Sequence, residues 1–308
     1  MINSLKTFVT VVEHKSSSRG AEELCLTHPN VSSQIRSLEE ELGAELVKSS
    51  SEHLELTQAG EIYYEYAKQI LLLQDKAKQE IKQLSNPVTG VLKIGASYTI
   101  GEYILPFAVA EFASQYPKVE IETAIANTEE VIQAVRANRL DIALVEGEAD
   151  CLDLVYRPLM EDELILVVPS QHPLARLPIA TLEHLQDLVW ILRESGSGTR
   201  AFSDKIIKEW GIKVRKTYVF GSGQAVKQAV SAGLGIALVS RWSVRKELIA
   251  KELKSVRIKG ERLTRSFYII GPKNQETSEA MEAFTEQLFT HESTTSWKKL
   301  GRRGIDNV

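Results

Sequence analysis

The run Ser18-Arg-Gly-Ala21-Glu-Glu-Leu24-Cys-Leu-Thr27-His-Pro29-Asn-Val31-Ser-Ser-Gln34-Ile35-Arg36-Ser-Leu38 decides how the first part of the chain folds. Ser18 ahead of Ala21, Glu22 and Leu24 reads as the cap of a short helix. Leu26-Thr27-His28 breaks that helix, and Thr27 before Pro29 is a cap followed by proline in the first turn of the next one. The new helix carries Val31, Ile35, Leu38 and Leu42 inward, sets Asn30, Ser32, Ser33 and Arg36 outward, and stops at Gly43. Upstream, Leu5, Phe8, Val9 and Val12 recur at helical spacing, so an amphipathic helix precedes the pair and ends near Lys15. Two short helices around a tight turn, the second polar on its outer side, form a helix-turn-helix.

Residues 46–56 alternate loosely around the polar tip Ser49-Ser50-Ser51-Glu52 and read as a small two-stranded wing. From Thr57 an uninterrupted helical pattern runs to about residue 85, a length of roughly 40 Å. Tyr63, Tyr66, Ile70, Leu73, Ala77, Ile81 and Leu84 follow one another by threes and fours, the seam of a helix that packs on another helix. That partner is either a second copy of the chain or the helix's own domain; the length favours the copy. Asn86-Pro87-Val88-Thr89-Gly90 is a hinge by composition.

Beyond the hinge, strand and helix patterns alternate: residues 91–96, 104–116, 119–126, 129–137 and 141–145, then 164–168, 181–185, 189–192, 199–210, 214–220, 225–232 and 235–239. Such alternation signals parallel sheets flanked by helices. The fold class is therefore α followed by α/β. The expected domains are a winged helix-turn-helix at 1–57, a linker or dimerisation helix at 58–86, and an α/β domain at 91–290. Two lobes fit that last stretch: 91–162 with 268–290, and 163–267. Residues 291–308, with Lys298, Lys299, Arg302 and Arg303, read as a solvated tail.

The chain has 308 residues and a formal net charge of −4. The charge neither supports nor excludes a nucleic-acid partner, because residues 1–60 hold more glutamates than lysines and arginines; only motif geometry can argue for DNA. The apolar runs are much shorter than the ~20 residues a bilayer needs, and the N-terminus lacks the pattern of a secretory signal. A cytoplasmic protein is expected. Cys25 and Cys151 lack metal-ligand or disulfide spacing and read as small, partly buried residues. Gly196-Ser-Gly198-Thr-Arg-Ala201 fits a dinucleotide fingerprint, but the strand after it ends in Tyr218-Val-Phe220-Gly221 with no acid for a ribose, so a dehydrogenase is rejected. No nucleophile elbow, zinc-protease helix or Walker loop is present. An enzyme is not expected, and neither is a cofactor or a metal. A solute-binding protein with α/β lobes is the competing reading from another class; the helix-turn-helix speaks against it.

The segments Leu5-Lys-Thr-Phe8, Ser18-Arg-Gly-Ala21-Glu-Glu-Leu24, Thr27-His-Pro29-Asn-Val31-Ser32, Gln34-Ile35, Leu38-Glu39-Glu-Glu41-Leu42-Gly43 and Leu56-Thr57-Gln-Ala59-Gly60 together resemble the signature of LysR-type transcription regulators. The α/β half resembles that family's effector domain, a periplasmic-binding-protein-like pair of lobes. Ser17 stands where the family generally has a core aromatic, Gly20 where it has alanine, and Ser49 where the wing commonly carries an arginine. The glycine should weaken its helix by roughly 0.5–1 kcal/mol, and Lys48 is left to replace part of the wing contact. Gly95-Ala-Ser97-Tyr98-Thr99 and Trp190-Ile-Leu-Arg193-Glu194-Ser195-Gly196-Ser197-Gly198-Thr199-Arg200 look like the branch that includes regulators of sulfur assimilation (sulfite reductase genes) and of carbon fixation, nearer the sulfur-linked members.

The resemblance implies double-stranded DNA as a partner, with contacts from Ser18, Arg19, Thr27, His28, Pro29, Asn30, Ser32, Ser33, Arg36 and Lys48. Asn30 suits adenine, and Arg36 suits guanine or a phosphate. On the residues alone, these are equally ordinary solvent-facing positions. A two-fold dimer or a tetramer would dock two such helices on an imperfect palindrome, with RNA polymerase as a further partner. The effector site should lie between the lobes at the carboxyl ends of strands, formed by Ser97, Tyr98, Thr99, Glu194, Ser195, Gly196, Ser197, Gly198, Thr199 and Arg200. Hydroxyls and free backbone N–H groups there accommodate a small anion; the lesser alternative is that Gly196 and Gly198 serve only a tight turn. Arg193 and Arg200 either add charge or pair with surface glutamates. Sulfite or another small oxyanion is the first effector candidate, a phosphorylated or carboxylate metabolite the second.

Overall fold

The computed structural model describes residues 2–49, 54–85, 87–147, 153–273 and 277–293. The chain divides into two compact units, Met1–Pro87 and Val88–Val308.

In the first unit, α1 (Ile2–His14), α2 (Ser17–Glu23) and α3 (His28–Leu42) precede the antiparallel pair β1 (Val47–Ser49) and β2 (Leu54–Leu56), and α4 (Gln58–Ser85) closes the unit. The periodicity becomes a core: Leu5, Phe8, Val9, Leu38, Leu46 and Ala67 bury together, and Val11, Ala21, Val31 and Ile35 form a second cluster beside them. Leu42, expected inward, is exposed at the last turn, just before Gly43 leaves the helix with φ +65°.

Three further expectations are corrected here. Ser16 and not Ser18 caps α2, its Oγ accepting the Arg19 N–H at 3.3 Å. Cys25 is exposed, in the turn between α2 and α3; Cys151 and the wing residues 50–53 lie outside the described residues. Gly20 is no weakness: a Cβ there would stand 2.7 Å from Val11 Cγ2 and 3.0 Å from Val11 Cα, so glycine is what lets α2 approach α1.

Along α4 the seam divides. Tyr63 turns into the core against Phe8, with ring centroids 5.6 Å apart. Ile62, Tyr66, Ile70, Leu73 and Ile81 form an exposed apolar stripe.

The second unit opens with β3 (Gly90–Ser97), α5 (Tyr98–Tyr103), α6 (Leu105–Gln115), β4 (Val119–Ala126), α7 (Thr128–Arg136) and β5 (Ile142–Glu146). A long strand β6 (Leu154–Pro169) then leads to β7 (Val189–Arg193), α8 (Gly198–Glu209), β8 (Lys216–Phe220), α9 (Gly223–Ser231), β9 (Ala237–Ser240), α10 (Arg245–Ile249) and β10 (Leu253–Val256). The chain returns through β11 (Leu263–Pro272) to α11 (Glu279–Ser293). Residues 291–293, read as tail, thus belong to α11, and residues 294–308 lie outside the described residues. Residues 181–185 yield only a single 3-10 turn, Leu182–Leu185.

The main sheet is seven-stranded and mixed, in the order β10-β6-β11-β5-β3-β4 with β9 also on β6. Only β3 pairs in parallel with β4 and β5, while β6 and β11 run antiparallel to each other and to their other neighbours. The expected parallel pairing holds for β3 with β4 and β5 and for β7 with β8, which form a separate two-stranded sheet, and fails at β6 and β11 because these two long strands serve both lobes. Leu159, Met160, Phe267 and Ile269 pack into the core around α6 and α11, whereas Leu164 and Leu263 pack into the core around Trp190 and α8. The hand-over falls between Met160 and Leu164 on β6 and between Leu263 and Phe267 on β11.

Candidate functional site

On α3 the buried stripe of Val31, Ile35 and Leu38 fixes which residues face away. Asn30, Ser32, Ser33 and Arg36 are exposed along the helix, and Thr27, His28 and Pro29 are exposed at its start. Thr27 caps the helix by its backbone while its hydroxyl makes no capping bond. Ser18 and Arg19 are exposed on α2 and Lys48 on β1.

Behind this surface, polar groups set the geometry. Thr7 Oγ1 donates to Gln34 Oε1 at 2.6 Å, tying α1 to α3. Glu39 Oε1 accepts the N–H groups of Leu46 and Val47 at 2.8 and 3.2 Å. Thr57 Oγ1 donates to the Glu45 carbonyl and accepts the Gly60 N–H. A Cβ at Gly60 would sit 2.0 Å from the Leu46 carbonyl oxygen, so glycine alone fits there.

The expected sensor residues meet at the lobe boundary, around a carboxylate that the sequence reading missed. Thr99 N–H donates to Glu146 Oε1 at 3.0 Å and Thr199 Oγ1 to Glu146 Oε2 at 2.9 Å, while Arg265 Nη1 reaches the same Oε2 at 2.7 Å. Arg265 Nε donates to Asp162 Oδ2 at 2.8 Å, and Ser240 Oγ donates to Asp162 Oδ1 at 2.6 Å. Burial pushes the Glu146 carboxyl upward, but Arg265 and the threonine donors outweigh it and hold the group below the usual carboxylate range. Arg265 is itself opposed by burial, yet the two carboxylates raise it.

The glycine loop is not open to an anion in the way the motif suggested. The Gly198 N–H donates to Thr128 Oγ1 at 3.2 Å, and the Gly196 carbonyl accepts the Glu129 N–H at 3.1 Å. Gly196 has φ +84°, and a Cβ on Gly198 would lie 2.5 Å from the Glu146 carbonyl oxygen. Both glycines therefore serve a turn pressed against α7 and β5. Arg193 is buried, grips Glu194 with two bonds of 2.7 Å, and lies 4.7 Å from the Tyr98 ring centroid. Arg200 pairs with Asp204 and also donates to the Arg193 carbonyl. Ser97 and Ser197 are buried, and Ser195 is exposed.

Two spaces adjoin this network. A cavity of about 20 Å³ is lined by Tyr98, Thr99, Tyr103, Arg193, Thr199 and Ser203, among others. That is room for one water-sized species. An open cleft of about 730 Å³ touches Glu129, Ser195, Gly196, Arg200, Arg265 and Tyr268, among others. Glu146 carried a faint sequence signal, an acid ending an apolar run. Asp162 and Arg265 gave none, because the two lie more than a hundred residues apart in the chain.

A winged helix joined to a two-lobed α/β domain with polar groups gathered between its lobes defines a ligand-responsive DNA-binding regulator. The family description "Bacterial regulatory helix-turn-helix protein, lysR family" matches residues 2–61, and "LysR substrate binding domain" matches residues 85–292. The chain belongs to the LysR family of transcription regulators. It is 39% identical to the HTH-type transcriptional regulator CysL of Bacillus subtilis over 92% of this chain and 95% of that one. It is 31% identical to the HTH-type transcriptional activator CmpR of Synechocystis, over 96% and 97% of the two chains. The CcmR regulatory domain of Synechocystis in complex with 2-PG superposes with a TM-score of 0.63 at 27% identity, over 67% of this chain and 99% of that domain.

Proposed function

We propose that this regulator reads an imperfect palindrome through the exposed side of α3 and responds to a small oxyanion held between the lobes of its second unit. The observation that carries the reading is the outward row Asn30, Ser32, Ser33 and Arg36 on a helix whose opposite stripe is buried. Asn30 and Arg36 supply base-edge contacts, while Thr27, His28, Ser18, Arg19 and Lys48 hold phosphates. The exposed stripe on α4 pairs with that of a second copy, giving a dimer or tetramer that presents two α3 helices. RNA polymerase is the partner through which the bound regulator would act, in the cytoplasm and without catalytic activity. Among the described residues, no helix is long and apolar enough to cross a membrane.

The effector enters the cleft beside Ser97, Tyr98, Thr99 and residues 194–200. Sulfite or a similar ion is the first candidate. The hydroxyl-bearing residues Tyr98, Thr99, Tyr103, Thr199 and Ser203 that line the small cavity support a small anion there once the space widens. A phosphorylated or carboxylate metabolite is the second, and the 2-PG named with the CcmR domain supports that alternative.

The test is a gel-shift titration of the full chain against the DNA upstream of its own gene, with sulfite, sulfate, thiosulfate and 2-phosphoglycolate added in turn. A dyad-containing fragment shifted at low salt, with its affinity or mobility altered by one of these ions, is expected. No shift on any dyad would overturn the DNA reading, and indifference to every ion would overturn the effector reading.

A further inference from the structure

The point where β6 and β11 pass from one lobe core to the other is marked by a cross-strand pair, Asp162 opposite Arg265. Asp162 is fully buried, Glu146 and Arg265 nearly so. The single guanidinium of Arg265 serves both carboxylates, at 2.7 Å to Glu146 and 2.8 Å to Asp162. Among the described residues no other cation is bonded to either acid. With both acids ionised, the cluster would carry one negative charge that no cation offsets; the open cleft borders Glu146 and Arg265, whereas Asp162 is fully buried. An unpaired buried charge of this kind is usually avoided by binding a proton.

We propose that Asp162 and Glu146 together hold one exchangeable proton at the lobe crossing, and that its release to solvent favours parting of the lobes. Asp162 is its resident. Glu146 accepts from the Thr99 N–H, the Thr199 hydroxyl and Arg265, a set of donors that holds it ionised. Asp162 has only Arg265 and the Ser240 hydroxyl, which itself accepts the Trp242 N–H.

The groups facing Asp162 are few. β11 supplies Arg265 and β5 supplies Glu146, whereas β9 and α8 offer only the hydroxyls of Ser240 and Thr199. On its own strand Glu163 is engaged by Arg241, and Arg200 of α8 is engaged by Asp204. Burial, opposed by Arg265, pushes the Asp162 carboxyl up to about 6.

The sign follows from that direction. An acid that holds its proton more tightly when buried favours the closed, folded sensor at low pH, and the advantage is lost as pH rises from the ordinary Asp value of 3.8 to about 6. Parting the lobes breaks the Glu146–Thr199 bond and admits water to the cluster, so deprotonation pulls the same way. Only this regulatory consequence rests on the sensor reading. A protein that bound no operator would leave the titration unaffected.

The experiment compares thermal melting of the full chain and Asp162→Asn, the shape of the protonated acid, from pH 5 to pH 8. The amount by which the variant melts above the parent is expected to grow by about 5 °C from pH 5 to pH 8. A variant that loses more stability at pH 8 than at pH 5 would mark Asp162 as an ordinary ion-pair carboxylate and overturn the proposal. So would a gap that does not change with pH. Should the variant fail to fold, an infrared titration of the parent and of Ser240→Ala decides. A buried carboxylic-acid band lost near pH 6 in the parent, and at higher pH in Ser240→Ala, supports the proton; its absence at pH 5 overturns it.

Discussion

On α3, Asn30, Ser32, Ser33 and Arg36 point to solvent, and no side-chain bond ties them to the other described residues. Between the lobes, Thr99, Glu146, Thr199 and Arg265 are buried and spend their polar groups on one another. On the proposed reading, the first surface is left open for DNA to complete. The second is nearly complete already, with Arg265 Nη2 and Ser97 Oγ left buried without a partner among the described residues, so a ligand must compete with internal partners for most of its contacts. Substitutions should therefore separate them: on α3 they cost affinity and leave stability alone, whereas in the cleft they cost stability first.

The largest effect is expected at Arg265. Arg265→Ala leaves two buried carboxylates facing each other, a loss of about 3–5 kcal/mol, visible as a collapse of the melting transition of the second unit. A loss below about 1 kcal/mol would mean that the cluster is hydrated, and the contrast with α3 would fail. Next comes Asn30→Ala, expected to weaken operator binding by about 1–3 kcal/mol and to relax preference at one base, with Tm unchanged. Equal loss on specific and random DNA would make Asn30 a phosphate contact and sharpen the map of the surface. The smallest is Gly20→Ala. Overpacking against Val11 costs about 1–3 kcal/mol, partly offset by the better helix propensity of alanine, so a net fall of about 1 kcal/mol in first-unit stability should appear in a urea melt. A stabilised variant would show that α2 can shift away from α1.

The same division explains what could be read from the residues. α3 was legible to within a residue because its polar and apolar positions obey one local period, and the Thr27-His-Pro29 start is local too. The cleft was half legible: the turns at 97–99 and 194–200 stood out by their hydroxyls and glycines. Their partner Glu146 was missed, since its function comes from strand pairing and not from its neighbours in sequence. β6 was read as starting ten residues late because Pro158 and the run Glu161-Asp162-Glu163 hide a strand whose polar members pair across lobes. Gly20 was misjudged for a related reason. A propensity scale sees only its own helix, and the deciding contact is Val11 on another.

Glu39 has a mechanical consequence for how any operator is gripped. One carboxylate oxygen pins the backbone amides of Leu46 and Val47 to the last turns of α3. α3 and the β1–β2 pair are thereby soldered into one casting. If the proposed DNA reading holds, a site set at a different pitch would be met more by bending of the duplex than by flexing of this joint.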